Sequence, residues 1–247
     1  MKVSIVTPSF NQAQFLEETI LSVLNQTYKN IEYIIIDGGS TDGSVDIIKK
    51  YESQITYWVS EKDNGQSHAI NKGFEKCTGD IFAYLNSDDL LEIDAVEKIV
   101  NAFTQQPDIA IVYGRCTNID EHSVAFSKPL GAQVDYLELL KYKMLPKIHQ
   151  PACFFNKKFL TRVPLIREDL NYVMDYELIL WLLKHREAKF IDENIARFRY
   201  HNDSKSVSKI KDMYHEKMIV QWQYGTQFRY LWIWRYLKYY IRYKILK

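Results

Sequence analysis

The alternation of strand-like and helix-like segments over residues 1–114 limits the possible folds of this chain more than any other feature. Apolar, β-branched runs of strand length recur between runs whose apolar residues are spaced three or four apart, and the connections are short. Such alternation builds βαβ units, in which the strands are parallel and helices cover both faces of the sheet. The strand-like runs are "KVSIVTP", expected to stop at Pro8, then "IEYIIID", "ITYWVSE", "GDIFAYL" and "IAIVYG". The sequence therefore predicts an α/β fold with a mostly parallel central sheet flanked by helices.

Length, charge and cysteine content exclude several classes of protein. The 247 residues, 47% of them hydrophobic, suffice for one large domain or a domain with an appendage. Seven of the 32 Lys and Arg follow Glu216 with no acid among them, which leaves 25 bases against 31 acids, about −6, in residues 1–216. Nucleic acid is therefore not expected as a partner. Three scattered cysteines argue against a zinc site or a disulfide framework. Because we find no secretory signal and no uncharged apolar run of ~18–20 residues, we expect a cytoplasmic protein.

Polar residues follow each of the first four predicted strands, in "TPSFNQ", "DGGSTDGS", "SEKDNGQS" and "LNSDD". In open parallel sheets, ligands bind beyond the carboxyl ends of the strands, so these four loops indicate a nucleotide-sized crevice. The alternative is that the loops are polar only because turns are. Asp37 can accept hydrogen bonds from a base N–H or a ribose hydroxyl, whereas Ser40 and Asp42 are expected to act as turn and helix-cap residues.

Two adjacent carboxylates, Asp88 and Asp89, end the segment "DIFAYLNSDD". Neighbouring like charges repel each other, and Asp is rare in strands. Helix capping does not explain both acids, because Asp94 stands directly before the periodic run "AVEKIVNAF" and can cap that helix alone. Mg²⁺ or Mn²⁺ binds one or two protein carboxylates and completes its shell with water and substrate phosphates. We therefore expect a divalent cation at this loop.

Three segments of the chain, taken together, resemble a known family. The segment "SIVTPSFNQAQFLEETILSVLNQTYKNIEYIIIDGGSTDGS", followed by "NGQSHAINKGF" and "GDIFAYLNSDD", looks like the inverting family-2 glycosyltransferases with the GT-A fold. The resemblance is strong over residues 1–114 and weaker to about residue 205. It implies a nucleotide-sugar donor, a DxD-type metal motif that binds Mn²⁺ or Mg²⁺, and a single carboxylate base. UDP-sugars are the first expectation for the donor, with GDP- and dTDP-sugars as further candidates.

The resemblance also implies which residues form the donor site. Asp88 is expected to ligate the metal. Asn86 replaces the first acid of the DxD pattern; it can bond a ribose or sugar hydroxyl but brings no charge to the metal, so Asp89 is a candidate to support the site from behind. The residues expected to bind the donor are Pro8, Phe10, Asn11, Asp37, Gly65, Asn71, Asn86, Ser87 and Asp88.

The catalytic base is expected in the second half of the chain. "NYVMDYELILWLL" places Asp175 just before an apolar helix and resembles the family's acid-Asp segment, although Met174 stands where the family has a Glu. Asp175 would accept the proton of the acceptor hydroxyl as that oxygen attacks the anomeric carbon. The alternative is that Asp175 is only the N-cap of the helix.

Two histidines are further candidates. His149 and Gln150, in "KIHQPACFF", resemble a segment near the acceptor and donor sites of related enzymes, but a lone His is as readily structural. In "FRYHNDSKS", His201 is a candidate metal ligand or phosphate contact, as a late histidine is in several GT-A enzymes, and Lys205 is a candidate phosphate contact beside it.

The last 21 residues, "QFRYLWIWRYLKYYIRYKILK", predict a basic amphipathic helix rich in aromatic residues. The apolar residues that recur every four positions are Ile233, Leu237, Ile241 and Ile245. Arg235, Lys238 and Arg242 lie along another face. Such helices lie in the membrane interface, where aromatic rings sit at headgroup depth and cations meet anionic lipid. Packing on the chain's own domain or on a dimer partner is the alternative.

Together these features predict a metal-dependent inverting glycosyltransferase that acts on a glycan or lipid-linked acceptor. The expected domains are a GT-A domain over 1–205, with a nucleotide-sugar half over 1–114 and an acceptor half over 115–205, and a helical extension over 206–247. The expected location is cytoplasmic and peripheral on the inner face of the cell membrane. One alternative is a nucleotidyltransferase, against which the lack of Gly and Lys in "TPSFNQAQF" speaks. Another is a non-catalytic membrane-associated binding module, against which Asp88 and Asp175 speak.

Overall fold

The computed structural model describes residues 1–141, 147–201, 204 and 210–225. These residues form one eight-stranded sheet and seven α-helices. The strands are β1 (Val3–Ser9), β2 (Ile31–Asp37), β3 (Tyr57–Ser60), β4 (Ile81–Tyr84), β5 (Leu90–Leu91), β6 (Ile111–Ile119), β7 (Cys153–Asn156) and β8 (Ala188–Arg199). The helices are α1 (Ala13–Leu24), α2 (Ser44–Lys50), α3 (Gln66–Lys76), α4 (Ala95–Gln105), α5 (Tyr136–Lys141), α6 (Met174–Leu183) and α7 (Ile210–Tyr224).

The strand order across the sheet is β3-β2-β1-β4-β7-β6-β8-β5. The first four strands in this order run parallel, as the alternating sequence pattern predicts. β7 then runs antiparallel to both β4 and β6, and β5 runs antiparallel to β8, whereas β6 and β8 are parallel. The predicted α/β class is confirmed, and the antiparallel pairings make the second half of the sheet mixed.

β1 runs through Pro8 to Ser9, beyond the residue at which the sequence predicts its end. Proline has no N–H to donate, so its place in a central strand needs an explanation. Along β1, the backbone N–H and carbonyl groups point alternately to the two neighbouring strands. Those of Val6 and Pro8 point to the β4 side, whereas those of Ser9 point to the β2 side, where the Ser9 carbonyl accepts the N–H of Gly38. The pairing with β4 ends at Val6, where the carbonyl accepts the N–H of Leu85, so Pro8 interrupts no hydrogen bond between strands.

Both faces of the sheet are buried. On β2, Ile34 and Ile36 belong to one apolar cluster, and Tyr33 and Ile35 belong to the other. Residues of α3, α5, α6 and α7 complete the first cluster, and residues of α1, α2 and α4 complete the second. The nearly continuous apolar run of β2 is therefore the pattern of a strand covered on both sides.

Close packing fixes α3 against β1. A Cβ atom on Gly73 would lie 2.4 Å from Cγ1 of Val6, a distance that only the absence of a side chain permits. The helix therefore lies directly on the strand. This packing determines where the first residue of α3, Gln66, lies along the carboxyl edge of the sheet.

The helix caps differ in detail from the sequence expectation. Asp42 is not the cap of α2, because Gly43 occupies the N-cap position; the Asp42 carboxylate accepts the backbone N–H of Ser44, the first residue of the helix, at 3.0 Å. Asp94 occupies the N-cap position of α4 but makes no capping hydrogen bond, because its carboxylate pairs with Lys98 at 3.0 Å.

α7 packs on the rest of the domain, although the sequence assigns it to an extension that begins at residue 206. Val220 is fully buried, the Gln221 side-chain amide donates to the Leu140 carbonyl at 2.8 Å, and the Tyr136 hydroxyl donates to the Tyr224 carbonyl at 2.8 Å. The aromatic segment 227–247, with its predicted membrane helix, lies outside the described residues. Each helix in the described part of the chain is too short or too polar to cross a membrane.

Candidate active site

The loop after β2 is organised by the carboxylate of Asp37, which is fully buried. Its Oδ2 accepts hydrogen bonds from the Ser60 hydroxyl at 2.7 Å and from the backbone N–H groups of Gly39 and Ser40 at 3.1 and 2.9 Å. Its Oδ1 accepts the Ser40 hydroxyl at 2.5 Å. Ser40 is therefore not a helix cap, because its hydroxyl serves Asp37. Asp37 thus holds together the ends of two parallel strands.

The loop after β1 lies against the loop after β2. Asn11, with a positive φ of 50°, donates its backbone N–H to the Ser40 hydroxyl at 2.8 Å, and its side-chain oxygen accepts the N–H of Thr41 at 3.0 Å. Pro8 is buried beneath this contact, whereas Phe10 is 59% exposed. The adjacent loops therefore present one aromatic ring to solvent at the edge of the sheet.

Two donor-site candidates lie on α3. Gly65, the N-cap residue, has a φ of 102°, and no atom lies within 4 Å of where its Cβ would be, so the backbone is open at this point. Asn71 is buried: its side-chain nitrogen donates to the Ile166 carbonyl and to Glu168, each at 2.9 Å, and its oxygen accepts the N–H of Ile166 at 2.7 Å. Asn71 therefore anchors the segment that leads to α6.

Asn86, just after β4, connects three parts of the site. Its side-chain oxygen accepts a hydrogen bond from Gln66 of α3 at 2.7 Å. Its nitrogen donates to Asp89 at 3.2 Å and to Gln150 at 3.4 Å. Gln150 in turn donates to the Tyr84 carbonyl at 2.7 Å. Ser87 is buried beside this network.

The structure brings the two predicted metal ligands together. Nε2 of His201 lies 3.0 Å from Oδ2 of Asp88, although 113 residues separate them in the chain. The His201 ring packs 4.8 Å from the ring of Phe15, measured between centroids, and its side chain is 5% exposed, against 20% for Asp88. In the described part of the chain, no group of three or more His, Cys, Asp or Glu residues could hold a metal ion.

Asp89 lies behind this pair and is buried. Its Oδ1 accepts the backbone N–H of Arg199 at 3.0 Å. Burial, and secondarily the charge of Asp88, raises the pKa of Asp89 well above its ordinary value. The Arg199 guanidinium is also buried; it donates to the Asp88 carbonyl at 2.8 Å and pairs with Glu18 of α1 at 2.6 Å.

Asp175 lies in the first turn of α6 rather than just before the helix, which begins at Met174 with Val173 as its N-cap residue. The N-cap alternative is therefore wrong. The carboxylate is half-buried and accepts the N–H of Tyr176 at 2.7 Å. Burial raises the pKa of Asp175, and the nearby charge of Lys217 partly opposes the rise. Burial, and secondarily the charge of Asp175, raises the pKa of Tyr84 in β4.

His149 is almost wholly buried, and its Nε2 atom has no hydrogen-bond partner among the described residues. Burial lowers the pKa of His149 to about 4, so the ring is neutral at physiological pH. It precedes the turn that carries Gln150 and lies at the edge of the network around Asn86. Lys205 falls outside the described residues.

Sequence reasoning missed three residues of this site. Arg199 could have been found, because it lies two residues before His201 in an extended segment. Residues two apart on a strand point to the same face. Gln66 and Lys217 offered no comparable pattern: their roles depend on the packing of α3 and α7. Both are polar residues on helices, which usually face solvent.

The fold resembles solved glycosyltransferase structures. S. aureus TarS in complex with UDP-GlcNAc aligns with a TM-score of 0.70 at 16% identity, over 90% of this chain and 65% of that one. The Pyrobaculum calidifontis mannosyltransferase in complex with GDP-Man and Mn²⁺ aligns with a TM-score of 0.68 at 15% identity, over 98% of this chain and 70% of that one. At such low identity the likeness concerns the fold alone, and it confirms the GT-A architecture.

Sequence comparison assigns the family. An uncharacterized glycosyltransferase of Rickettsia typhi is 32% identical over 213 residues, which are 81% of this chain and 64% of that protein. The chain thus spans just under two thirds of the length of this relative. The model of the family described as glycosyl transferase family 2 matches residues 4–161, which is more than half of the chain. This chain therefore belongs to glycosyl transferase family 2.

Proposed function

We propose that this protein transfers a sugar from a nucleotide-sugar donor, with UDP-sugars as the first candidates, to a hydroxyl group of a glycan or lipid-linked acceptor. The transfer inverts the anomeric centre, uses a divalent cation held by Asp88 and His201, and uses Asp175 as the base. Family membership supports the reaction class over the nucleotidyltransferase alternative. The observation that carries the proposal is the meeting of Asp88 and His201 at the carboxyl edge of the parallel strands.

The Asp88–His201 pair fits a divalent cation. Neighbouring ligands of an octahedral ion, each about 2.1 Å from the metal, lie about 3 Å apart. Oδ2 of Asp88 and Nε2 of His201 are 3.0 Å apart and in direct hydrogen-bond contact, so a cation bound to both atoms would replace this hydrogen bond. Two protein ligands leave the remaining positions to water and to phosphate oxygens, which suits Mn²⁺ or Mg²⁺. Bound there, the cation would neutralise the charge of the departing nucleoside diphosphate.

The loops after β1 and β2 support a nucleoside site. The exposed ring of Phe10 offers a face on which a planar base can stack. Asp37 already accepts four hydrogen bonds from the protein, so its role here is to hold Ser40 and Gly39 in place. Asn11 fastens the two loops to each other. A donor lying from Phe10 toward Asp88 would place its diphosphate at the cation site.

Asp175 is suited to proton abstraction. Burial raises the pKa of its carboxyl group, which makes the carboxylate a stronger base than an exposed aspartate, and the side chain keeps access to solvent. The acceptor oxygen would form its bond to the anomeric carbon as its proton passes to Asp175. The bond between that carbon and the diphosphate oxygen would break on the opposite side. A single in-line displacement of this kind inverts the configuration.

The proposal also assigns a role to each half of the domain, donor binding to the first and acceptor binding to the second. Residues 1–114 supply the donor loops, residues 115–205 supply Asp175 and His201 near the acceptor, and the remaining C-terminal residues begin with α7. His149 and Gln150 lie beside the Asn86 network, where they can contact either substrate. The protein would work in the cytoplasm, peripherally on the inner face of the cell membrane, through the basic aromatic tail.

The first test is a donor screen. Release of nucleoside diphosphate from a panel of UDP-, GDP- and dTDP-sugars would be measured with MnCl₂ or MgCl₂ and with EDTA. We expect release from one donor class, dependent on the metal. Asp175→Asn should lower turnover at least about 10³-fold and preserve donor binding. Asp88→Ala should weaken metal-dependent donor binding.

Asp46→Asn, an exposed acid on α2, is the matched control and should behave as the wild type. Normal turnover by Asp175→Asn would reassign the base. Equal donor affinity of Asp88→Ala and wild type in the presence of Mn²⁺ would remove the proposed cation site.

A further inference from the structure

One face of α7 packs against α6, the helix that carries Asp175. Met213, Val220 and Tyr224, spaced as residues on one helical face, lie in or against the same apolar cluster as α6. The Tyr224 hydroxyl donates to Glu177 of α6, which also pairs with Arg162. α7 is therefore attached firmly to the catalytic helix, although it lies outside the stretch matched by the family model.

Glu216 of α7 binds the backbone that leads into α6. Its carboxylate oxygens accept the N–H of Asn171 at 3.0 and 3.1 Å and the N–H of Tyr172 at 2.8 Å. These two residues directly precede Val173, the N-cap residue of α6. Backbone N–H groups ahead of a helix need acceptors, and a carboxylate near a helix N-terminus is electrostatically favourable. Glu216 therefore holds the backbone just ahead of α6, as close as three residues before Asp175.

Lys217, the next residue of α7, lies over the ring of Tyr176. Its Nζ is 4.9 Å from the centroid of the Tyr176 ring, and Tyr176 follows Asp175 in the chain. The charge of Lys217 favours the ionised form of Asp175 and so opposes the rise in pKa caused by burial. Tyr84 from β4 and Cys153 from β7 also face Asp175, but burial raises the pKa of both far above neutrality, so both are uncharged.

We propose that Glu216 and Lys217 are positioning residues for the catalytic carboxylate: Glu216 holds the backbone that carries Asp175, and Lys217, seated on the neighbouring Tyr176 ring, favours the proton-accepting form of Asp175. This inference rests on the proposed role of Asp175 as the base. α7 then has a defined task in the reaction, beyond that of a covering helix.

The first test measures the titration of Asp175 directly in the full-length protein. The carboxyl signal of ¹³C-labelled aspartate would be followed by NMR as a function of pH, and its absence from Asp175→Asn would assign it. Lys217→Met should move the midpoint upward by about half a pH unit or more, because a nearby positive charge is lost. Lys217→Arg should restore the wild-type midpoint. An unchanged midpoint in Lys217→Met would overturn the role of Lys217.

Lys211→Met is the matched control, because Lys211 lies on the same helix but on its exposed side. It removes the same charge from α7 without removing it from the neighbourhood of Asp175. We expect no displacement of the Asp175 midpoint. A displacement equal to that of Lys217→Met would show that the effect comes from overall charge and would likewise overturn the proposal.

The second test uses the donor and metal identified by the screen. In Lys217→Met, the acid limb of the pH profile of kcat/KM should move to higher pH by the same amount as the NMR midpoint. Glu216→Ala should lower kcat about tenfold with little change in the donor KM, because it displaces the base, and it should not move the acid limb to higher pH, because the charge that it removes is negative. Glu216→Gln, which keeps one acceptor oxygen, should recover part of the loss and also serves if the alanine variant does not fold. Unchanged kcat in both variants would remove the role of Glu216.

Failure of this inference and failure of the proposed function are distinguishable. Full turnover in Asp175→Asn would refute the base assignment, whatever the NMR midpoint of Asp175 does in Lys217→Met. Loss of turnover in Asp175→Asn together with wild-type behaviour of the Lys217 and Glu216 variants would leave the base in place and refute only the role of α7.

Discussion

At the scale of single residues, Asn86 shows why the first acid of the DxD pattern is absent. Its amide both accepts a hydrogen bond, from Gln66 at 2.7 Å, and donates one, to Asp89 at 3.2 Å. An aspartate at this position would lose the donor and add a second charge against the buried carboxylate of Asp89. With His201 beside Asp88, the proposed cation site would have a second ligand without that acid.

A prediction at this scale concerns the stability cost of Asp175. Its pKa is raised in the folded protein, so the folded state keeps this proton to a higher pH than the unfolded state does. The ionised carboxylate therefore destabilises the fold fully above the raised pKa and not at all below the ordinary value of about 3.9. Asp175→Asn should raise Tm by a few degrees at pH 7, and the gain should vanish as the pH falls toward 4.

Differential scanning calorimetry of wild type and Asp175→Asn across this pH range would measure the effect. Asp46→Asn, on exposed α2, should show no such pH-dependent gain. A lower Tm for Asp175→Asn at pH 7 would mean that the carboxylate is stabilised in the fold rather than destabilised by burial.

At the scale of secondary-structure elements, Arg199 at the end of β8 contacts three segments around the proposed cation site. The buried guanidinium of Arg199 contacts Glu18 on α1, the Asp88 carbonyl after β4, and the Ser123 hydroxyl at 2.9 Å in the loop after β6. It also lies 4.7 Å from the centroid of the Phe15 ring. One side chain thus fixes three segments on which Asp88 and His201 depend for their alignment.

Arg199→Met is therefore expected to destabilise the protein by about 1.5 to 3 kcal/mol, the range typical of losing hydrogen bonds to a charged group, because Arg199 is fully buried whereas its partner Glu18 is 52% exposed. It should also weaken Mn²⁺ binding, because the Asp88 carbonyl loses its donor. Urea unfolding followed by circular dichroism would measure the first effect, and titration with Mn²⁺ monitored by electron paramagnetic resonance would measure the second.

Arg197→Met provides a control on the same strand. Arg197 is 41% exposed and pairs with Glu92 at 2.9 Å, so its loss should cost less than about 1 kcal/mol. Equal losses of stability in the two variants would contradict the special role of Arg199.

At the scale of the whole molecule, the candidate site is assembled from distant parts of the chain. The stretch matched by the family model ends at residue 161 and supplies Asp37 and Asp88. Asp175 and His201 come from later elements, and α7 holds the helix of Asp175 in place. The proposed cation site and the proposed base therefore both include residues well beyond 161.

The basic aromatic tail carries a prediction at this scale. Replacing Arg235, Lys238 and Arg242 by Gln in the full chain should reduce binding to vesicles that contain anionic lipid about tenfold or more, because each cation near such a surface contributes about 1 kcal/mol. Flotation with anionic and with neutral vesicles would measure the effect. The neutral vesicles should bind both proteins equally.

Three exposed lysines elsewhere, Lys49, Lys76 and Lys128, replaced together by Gln, make a control of equal charge. Their loss should leave flotation unchanged. Equal flotation of the tail variant and wild type on anionic vesicles would reject the membrane role. A shorter chain for the same test should end no earlier than Gly225, because Tyr224 bonds to Glu177.

The sequence pattern predicted much of the first half and less of the second. β2 and α3 are found where periodicity placed them, because strands and helices with short connections are determined by local spacing. β5, with two residues, and β8, with few apolar runs, were not recognised, because β8 is a strand through its pairing with β6, and β5 through its pairing with β8, rather than through their own composition. The helix near Asp175 was predicted, but it begins two residues earlier than expected, at Met174.

By itself, the sequence determined the α/β class and the polar ends of the first four strands. It also indicated that the adjacent acids Asp88 and Asp89 need a positively charged partner. These follow from the periods of strand and helix and from the repulsion of adjacent charges, which act over a few residues. Only the tertiary structure decided that His201 meets Asp88 across 113 residues and that α7 reaches the helix of Asp175. Contacts between such distant residues depend on which buried surfaces pack together. The spacing of residues along the chain does not specify this packing.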